Sequence, residues 1–435
     1  MNKKILLAIL PPFWPKMPPL GLAYLESFLL TKNIDVGVFD INNAFYNLAS
    51  PELQKEWLKS CNCFLENNIL SIIEENFPVK YNAVLERMLD YDIVGFSCFK
   101  SNLKATMKIA KLLKARKNNI KIIMGGPEIT RLFFKNAGKV NIEMADFIVA
   151  GEGELSLFNY ISAKTNDQKI SCFSELENLD RLDFPRYKNL GLRLYPGNNA
   201  IPLLFSRGCV KKCNFCSERL LYKKFRARPV KDVLEEIDYH VSQNKIEYFI
   251  FHDSLINADL GKLEELCEAI IKNFGSIKWE AQLYIRDDMR VGLFEKMKKS
   301  GCYNLFIGLE SGCDRTLNSM NKGFTSKDAV SLFEKLRLAG LSFGVSIIIG
   351  YPNETEDDFR KTLEFIIEHK DLIPKIEQVN PFTYYDGTGA DKNFDYNVNS
   401  DSLRRLRVFV DEIKRHGIKH TKAFLGNLIE KNDRI

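Results

Sequence analysis

Apolar positions along the chain fall into two series, each switching between short unbroken runs and longer stretches of helical period. Residues 3–10 (KKILLAIL) have the apolar run of a buried strand, and a helical pattern follows from Leu20 to Leu30. A second strand is expected at Ile34–Asp40, then a polar helical stretch at about 43–90. The alternation resumes with a strand at Asp92–Ser97, a helix at Leu103–Arg116, and strands at Lys121–Met124 and Phe147–Ala150. Strands separated by helices imply parallel βαβ units with right-handed crossovers. Residues 1–170 are therefore expected to form an α/β domain, a doubly wound, flavodoxin-like parallel sheet carrying the 43–90 stretch as an insertion. Such sheets bind ligands beyond the carboxyl ends of their strands.

Residues 171–198 carry Pro185, Pro196 and Gly197 and read as a linker. The alternation then restarts, with strands expected at 201–206, 246–251, 277–283, 303–308, 343–349 and 376–380. Helical stretches at 229–243, 260–273, 289–299, 326–339 and 354–369 separate them. Six βα units over 199–385 predict a partial (β/α)6 barrel, again with its site at the strand C-termini. Residues 386–435 read as a helical C-terminal segment, most clearly from Leu403 to Lys414.

Composition adds little to this picture: 45% hydrophobic and 27% charged residues are ordinary for a globular protein. Part of the net charge of +6 sits in 401–435 and suits a solvated helix face, so a nucleic-acid partner is not expected. The apolar run Ile5–Leu10 stops at Pro11 and Pro12 with no cleavage site after it, unlike a signal peptide. No apolar stretch reaches the ~18 residues of a membrane span, and a cytoplasmic location is expected. In a reducing compartment the ten cysteines are not expected to pair as disulfides, which leaves their spacing to be read for metals.

That spacing occurs once. Cys209, Cys213 and Cys216 stand as C-x3-C-x2-C just after the first strand of the second series. Three thiolates on one loop can cap three irons of a cubane cluster and leave the fourth open. The alternatives are a structural zinc site, which needs a fourth ligand no nearer than His240 or His252, or scattered core cysteines. Cys61, Cys63, Cys267, Cys302 and Cys313 are too dispersed for a second cluster.

With the aromatic Phe215 before the third cysteine, this loop resembles the signature of the radical S-adenosylmethionine (SAM) superfamily. The resemblance covers about residues 199–385 and implies a [4Fe–4S] cluster whose open iron takes the amino and carboxylate groups of SAM. Reductive cleavage of SAM then gives a 5′-deoxyadenosyl radical. Four further assignments follow from the same resemblance. Asp253, in His252–Ser254, would meet the SAM amino group, although Gly-Gly-Glu is the family's more usual pattern. Glu310 and Ser311, in Gly308–Gly312, would contact the ribose or carboxylate. Arg286 would pair with the carboxylate, and Ile348, beside the Gly350–Thr355 loop, would pack on the adenine. Tyr384, Tyr385 and Asp386, after the sixth strand, lie where a substrate or the barrel rim would be.

The first domain is similar to the cobalamin-binding module of B12-dependent radical SAM enzymes. The similarity rests on Pro18–Leu25, Tyr91–Ser97, Ile122–Pro127 and Phe147–Glu154. It implies that Ser97, Gly125, Gly126 and Gly151 line the cofactor, with glycines admitting a close ligand. Many cobalamin proteins place Asp-x-His-x-x-Gly after the first strand; here that loop is Pro11–Met17 and has no histidine. Phe13 or Trp14 would then cover the lower face of the corrin. The implied activity is cobalamin-dependent radical chemistry, most often methylation, or else rearrangement, of an unactivated carbon in a small-molecule or peptide substrate. Electrons would come from a reductant such as flavodoxin or ferredoxin. Two other readings remain: a methylthiotransferase acting on tRNA, or a cobalamin-free radical SAM enzyme whose first domain binds substrate.

Overall fold

The computed structural model describes residues 3–61, 68–162, 169–170, 173–180, 182–196, 200–385, 387–390 and 400–421. Cys63, Gly197 and Asp386 lie outside these. The chain divides into two compact units, Met1–Pro202 with Leu220–Lys223, and Leu203–Arg219 with Lys224–Ile435.

The first unit is built on five parallel strands: β1 (Ile5–Ile9), β2 (Gly37–Asp40), β3 (Ile93–Ser97), β4 (Lys121–Gly125) and β5 (Phe147–Ile148). Their order, β2-β1-β3-β4-β5, is the flavodoxin-like one, with its reversal point between β1 and β3. β1 is apolar throughout because both faces of a parallel sheet are covered, and all five of its residues are buried. The polar stretch resolves into the helices Ile41–Tyr46, Pro51–Ser60, Ile69–Asn76 and Pro78–Leu89. Trp57, Ile73, Leu85 and Met88 from these helices share one core with Val94 and Ile122 of the sheet.

Residues 173–180 and 182–196 belong to the same packing. Ser174 bridges Gly151 in parallel, and its amide donates to the Ala150 carbonyl at 3.1 Å. The Tyr195 hydroxyl donates to Asp40 at 2.8 Å, and burial pushes the Asp40 carboxyl up to about 6. The irregular composition around Pro185 thus belongs to a segment that packs along the first unit.

The second sheet begins with β6 (Ala200–Leu203). A two-stranded antiparallel ribbon follows, β7 (Ser206–Arg207) with β8 (Arg226–Ala227). The ribbon is too short to have a period, so the sequence gives no sign of it. Then come β9 (Tyr248–Phe251), β10 (Lys278–Leu283), β11 (Cys302–Glu310), β12 (Phe343–Ile349) and β13 (Ile376–Pro381). The order β13-β12-β11-β10-β9-β6 adds one strand per βα unit, giving the six-stranded partial barrel. Its helices include Val230–Asn244, Leu260–Phe274, Val291–Lys299, Ser326–Leu338 and Glu356–Glu368. The helix Ser400–Arg415 follows, and an isolated parallel bridge between Ile376 and His420 covers part of the β13 edge. No helix among the described residues is long and apolar enough to cross a membrane.

Candidate active site

The three motif cysteines sit on the loop that leaves β7, and Gly208 makes its turn possible. Gly208 has φ +86°, and a Cβ there would lie 2.3 Å from the Lys224 carbonyl oxygen. The loop is pinned to the segment after the helix Asp314–Ser319. Asn214 donates from its backbone to Met320 O at 2.9 Å and from its side chain to Ser319 O at 2.8 Å. Asn321 returns a bond to Lys212 O at 2.9 Å.

Cys209, Cys213 and Cys216 are free and half-buried. The Lys211 amide donates to Cys209 Sγ at 3.4 Å, the kind of bond that steadies a thiolate. Burial pushes all three thiols up, Cys216 to about 12, while the Lys322 ammonium pulls Cys209 and Cys213 back. Thiols so placed ionise when a cation takes their protons' place. Among the described residues no three His, Cys, Asp or Glu side chains are grouped for a single ion. A cubane instead takes each thiolate on a different iron, so the donor set fits a cluster with one open position.

Beside the loop, the structure brings together positions that are far apart in the sequence. Phe215 and Ile348 pack with Tyr384 against Met320, Tyr351, Phe382 and Ala390. Tyr351 and Phe382 meet edge to face at 5.1 Å. Together they form an apolar wall at the edge of the cysteine loop.

Glu310 ends β11 with φ +70°, at a register shift in the β11–β12 pairing. Its Oε2 accepts from the Ser346 hydroxyl at 2.9 Å, and its Oε1 lies 3.5 Å from Lys322 Nζ. A Cβ on Gly308 would come within 2.5 Å of that Oε1, so Gly308 makes room for the pair. Lys322, Tyr284 and Glu218 join the site although sequence reasoning does not single them out. Lys322 carries one usable signal: it stands two residues from each of the buried Met320 and Phe324. Glu218, two residues past Cys216, accepts from the Ser254 hydroxyl at 2.8 Å.

Three of the residues expected to contact SAM have partners within the chain. Asp253 is fully buried, and its carboxylate accepts from the Phe205 amide at 3.0 Å and from the Ser206 hydroxyl. It holds the root of the cysteine loop and has no face left for a ligand. Arg286, partly exposed, pairs through its fork with the exposed Asp288 at 2.6 Å and bonds Asn257 O at 2.7 Å. Ser311 is buried, with its hydroxyl 2.7 Å from that of Thr362 and 3.1 Å from the Cys313 amide. All three lie near strand ends, and in each case tertiary packing supplied a partner first.

In the first unit, the loops after β1 and β3 meet at the reversal point. Phe13 and Phe99 pack at 4.7 Å, the Ser101 hydroxyl donates to Pro12 O at 2.8 Å, and Asn42 accepts from the Phe13 amide at 2.9 Å. Trp14 remains 41% exposed. The glycines serve the chain's own packing. A Cβ on Gly126 would meet the Cys98 backbone at 2.9 Å, beside the Ser97 hydroxyl, and one on Gly151 would meet Ser174 O at 2.3 Å. Gly125 would meet Val149 at 3.3 Å. Gly126 and Gly151 thus admit neighbouring backbone. All five histidines lie at or beyond His240, so this unit has no imidazole to offer a metal.

The family model described as the radical SAM superfamily matches residues 203–366, and the B12 binding domain model matches residues 65–159. By these two models the chain carries a radical SAM domain and a B12 binding domain. Domains of these two kinds imply a [4Fe–4S] cluster, SAM and cobalamin as cofactors. An uncharacterized methyltransferase of Pyrococcus horikoshii is 26% identical over 392 residues, 85% of this chain and 77% of that one. The anaerobic magnesium-protoporphyrin IX monomethyl ester cyclase of Rubrivivax gelatinosus is 25% identical over 300 residues, 62% of this chain and 53% of that one. Among solved structures, the cobalamin-dependent radical SAM enzyme OxsB with aqua-cobalamin and SAM bound has a TM-score of 0.67 at 17% identity. That match covers 99% of this chain and 56% of OxsB. The chain thus spans about half the length of the cyclase and of OxsB. No histidine precedes His240, so the N-terminal unit has no imidazole to set against a corrin, and its loop after β1 offers Phe13, Trp14, Lys16 and Met17.

Proposed function

We propose that the chain cleaves SAM reductively at a cluster held by Cys209, Cys213 and Cys216, and methylates an unactivated carbon of a small-molecule or peptide substrate. The observation that carries this reading is the set of three half-buried thiols on one pinned loop beside the wall formed by Phe215 and Ile348. When bound, the cluster supplies the electron that breaks the C5′–S bond of SAM, and cobalamin supplies a methyl carrier.

The chain's own residues bind and orient. Gly208, Asn214 and Asp253 fix the loop so that the thiols face one cluster. Phe215, Ile348 and Tyr351 receive a flat base, and Glu310 offers a carboxylate oxygen to hydroxyl or ammonium donors at the end of β11. Burial of these groups excludes water from a reactive radical. Electrons come from a flavodoxin- or ferredoxin-type carrier in this reading. The name of the Pyrococcus relative favours methyl transfer, whereas the cyclase relative supports ring formation on the same architecture.

Anaerobically reconstituted protein should bind about four irons and four sulfides. Cys213→Ala should abolish release of 5′-deoxyadenosine from SAM, and release at the wild-type rate would sink the assignment. Label from methyl-deuterated SAM in the product identifies methylation; its absence from a product that has gained a ring favours cyclisation.

A further inference from the structure

Lys322 is the one lysine among the described residues in the buried class, with 5% of its surface exposed. Burying an ammonium costs several kcal/mol unless nearby groups compensate it. Here Glu310 Oε1 lies 3.5 Å from Nζ, and Ser346 holds the other carboxylate oxygen. Three rings surround the same ammonium, Phe324 at 5.4 Å, Phe215 at 5.6 Å and Tyr284 at 5.9 Å. The Tyr284 hydroxyl also bonds the Lys322 carbonyl, fixing the backbone from which the side chain projects.

The location of this charge is equally well determined. Phe215 lies between Cys213 and Cys216 on the motif loop, so a charge over its ring stands at the loop. Asn214 and Asn321 tie that loop to the turn just before Lys322. Gly308 leaves space for both members of the pair, since a Cβ there would come within 3.4 Å of Lys322 Nζ as well as 2.5 Å of Glu310 Oε1. The arrangement keeps a fixed positive charge in a place of low dielectric, where Coulomb energies are several times those in water.

We propose that Lys322 is a positioning residue that sets the reduction potential of the cluster, its buried ammonium stabilising the reduced state while Glu310 limits the effect. This inference rests on the assignment of the cluster to Cys209, Cys213 and Cys216. A cubane in its 2+ state with three thiolates carries a net charge of −1, and one electron from the reductant takes it to −2. The added negative charge is stabilised by a neighbouring cation and opposed by a neighbouring anion. Lys322 and Glu310 therefore act on the potential with opposite signs, which a packing role does not require.

The test is a redox titration of the reconstituted full chain with dithionite in the absence of SAM, followed by electron paramagnetic resonance, with iron and sulfide counted in every variant. Lys322→Gln should disfavour the reduced cluster about tenfold, a fall of ~59 mV for one electron. Lys322→Arg keeps the charge and should stay near the wild-type potential. Glu310→Gln should shift the potential the other way. A Lys322→Gln protein with full cluster content and the wild-type potential would overturn the inference while leaving the cluster assignment intact. If that variant loses its cluster, Glu310→Gln decides: a positive shift supports the role of the pair, and no shift or a negative one refutes it. Failure of the wild-type chain to hold any [4Fe–4S] cluster overturns both readings.

Discussion

Asp253 and Ser206 are joined by a buried hydrogen bond, the serine hydroxyl donating to Oδ1 while the Phe205 amide donates to Oδ2 at 3.0 Å. The contact links the end of β9 to the start of the ribbon that carries the cysteine loop. Its cost is set by burial, which pushes the Asp253 carboxyl from 3.8 up to about 6 against the opposing pull of its hydrogen bonds.

That displacement gives a pH prediction with a definite sign. A carboxyl raised in the folded state holds its proton there between about pH 4 and 6, while the unfolded chain has already ionised. The folded state therefore loses stability as pH rises through this window, by on the order of 3 kcal/mol in all. Asp253→Asn cannot ionise and should lack this loss. Denaturant unfolding of both proteins at pH 4 and pH 7 measures it. A stability difference that stays constant between the two pH values would show that Asp253 is not the group responsible.

Gly208→Ala should cost about 1–3 kcal/mol from the left-handed backbone alone. The contact with Lys224 adds to this by pushing the loop away from the ribbon. Bound iron after reconstitution should fall well below the wild-type value, while Gly292→Ala, at a site with nothing within 4 Å of a new Cβ, should leave it unchanged. Equal iron content in the two variants would show that the turn at Gly208 does not govern cluster binding.

Glu310→Ala should weaken SAM binding about tenfold, near 1.4 kcal/mol, since hydrogen bonds to a charged group contribute more than neutral ones. Isothermal titration with SAM under anaerobic conditions reads this directly, and cluster content serves as the control. By contrast, Ser311→Ala should act through stability, because its hydroxyl already serves Thr362 and the Cys313 amide. A loss of SAM affinity larger in Ser311→Ala than in Glu310→Ala would reverse these roles.

Cobalamin bound to the chain should have no histidine of the N-terminal unit on its cobalt, because no histidine precedes His240. The electron paramagnetic resonance spectrum of the cob(II)alamin form should accordingly lack superfine splitting from an axial imidazole nitrogen. Its presence would mean that a residue outside the unit reaches the metal. Trp14→Ala removes an exposed ring from the loop after β1 and should weaken cobalamin binding if that ring covers the corrin. Unchanged affinity would leave Phe13, packed on Phe99, as the surviving candidate.

Much of the architecture was legible in the sequence because period and composition are local properties. The apolar run of β1 and the alternation around it announce a parallel sheet, and the strand at Lys121–Met124 is found at Lys121–Gly125. The same applies to the second series, where 343–349 is β12 to the residue. The three cysteines were legible for another reason: a ligand set on one loop is written as spacing, and no distant contact is needed to see it.

What the sequence by itself determined, then, is the two α/β units, the order of their elements, and the thiol loop. The tertiary structure decided which polar side chains stay available for chemistry. Asp253 and Ser311 look like ligands from their strand-end positions, but an ionised or hydroxyl group that folding buries must find a partner, and each found one within the chain. Lys322 went the other way. A lysine in a turn reads as solvated from its neighbours alone, and only tertiary closure brings Glu310, itself held by Ser346, and three aromatic rings to a single ammonium. Spacing along a chain records which groups are near in sequence; desolvation and pairing depend on what approaches through space, and that is settled only when the units fold.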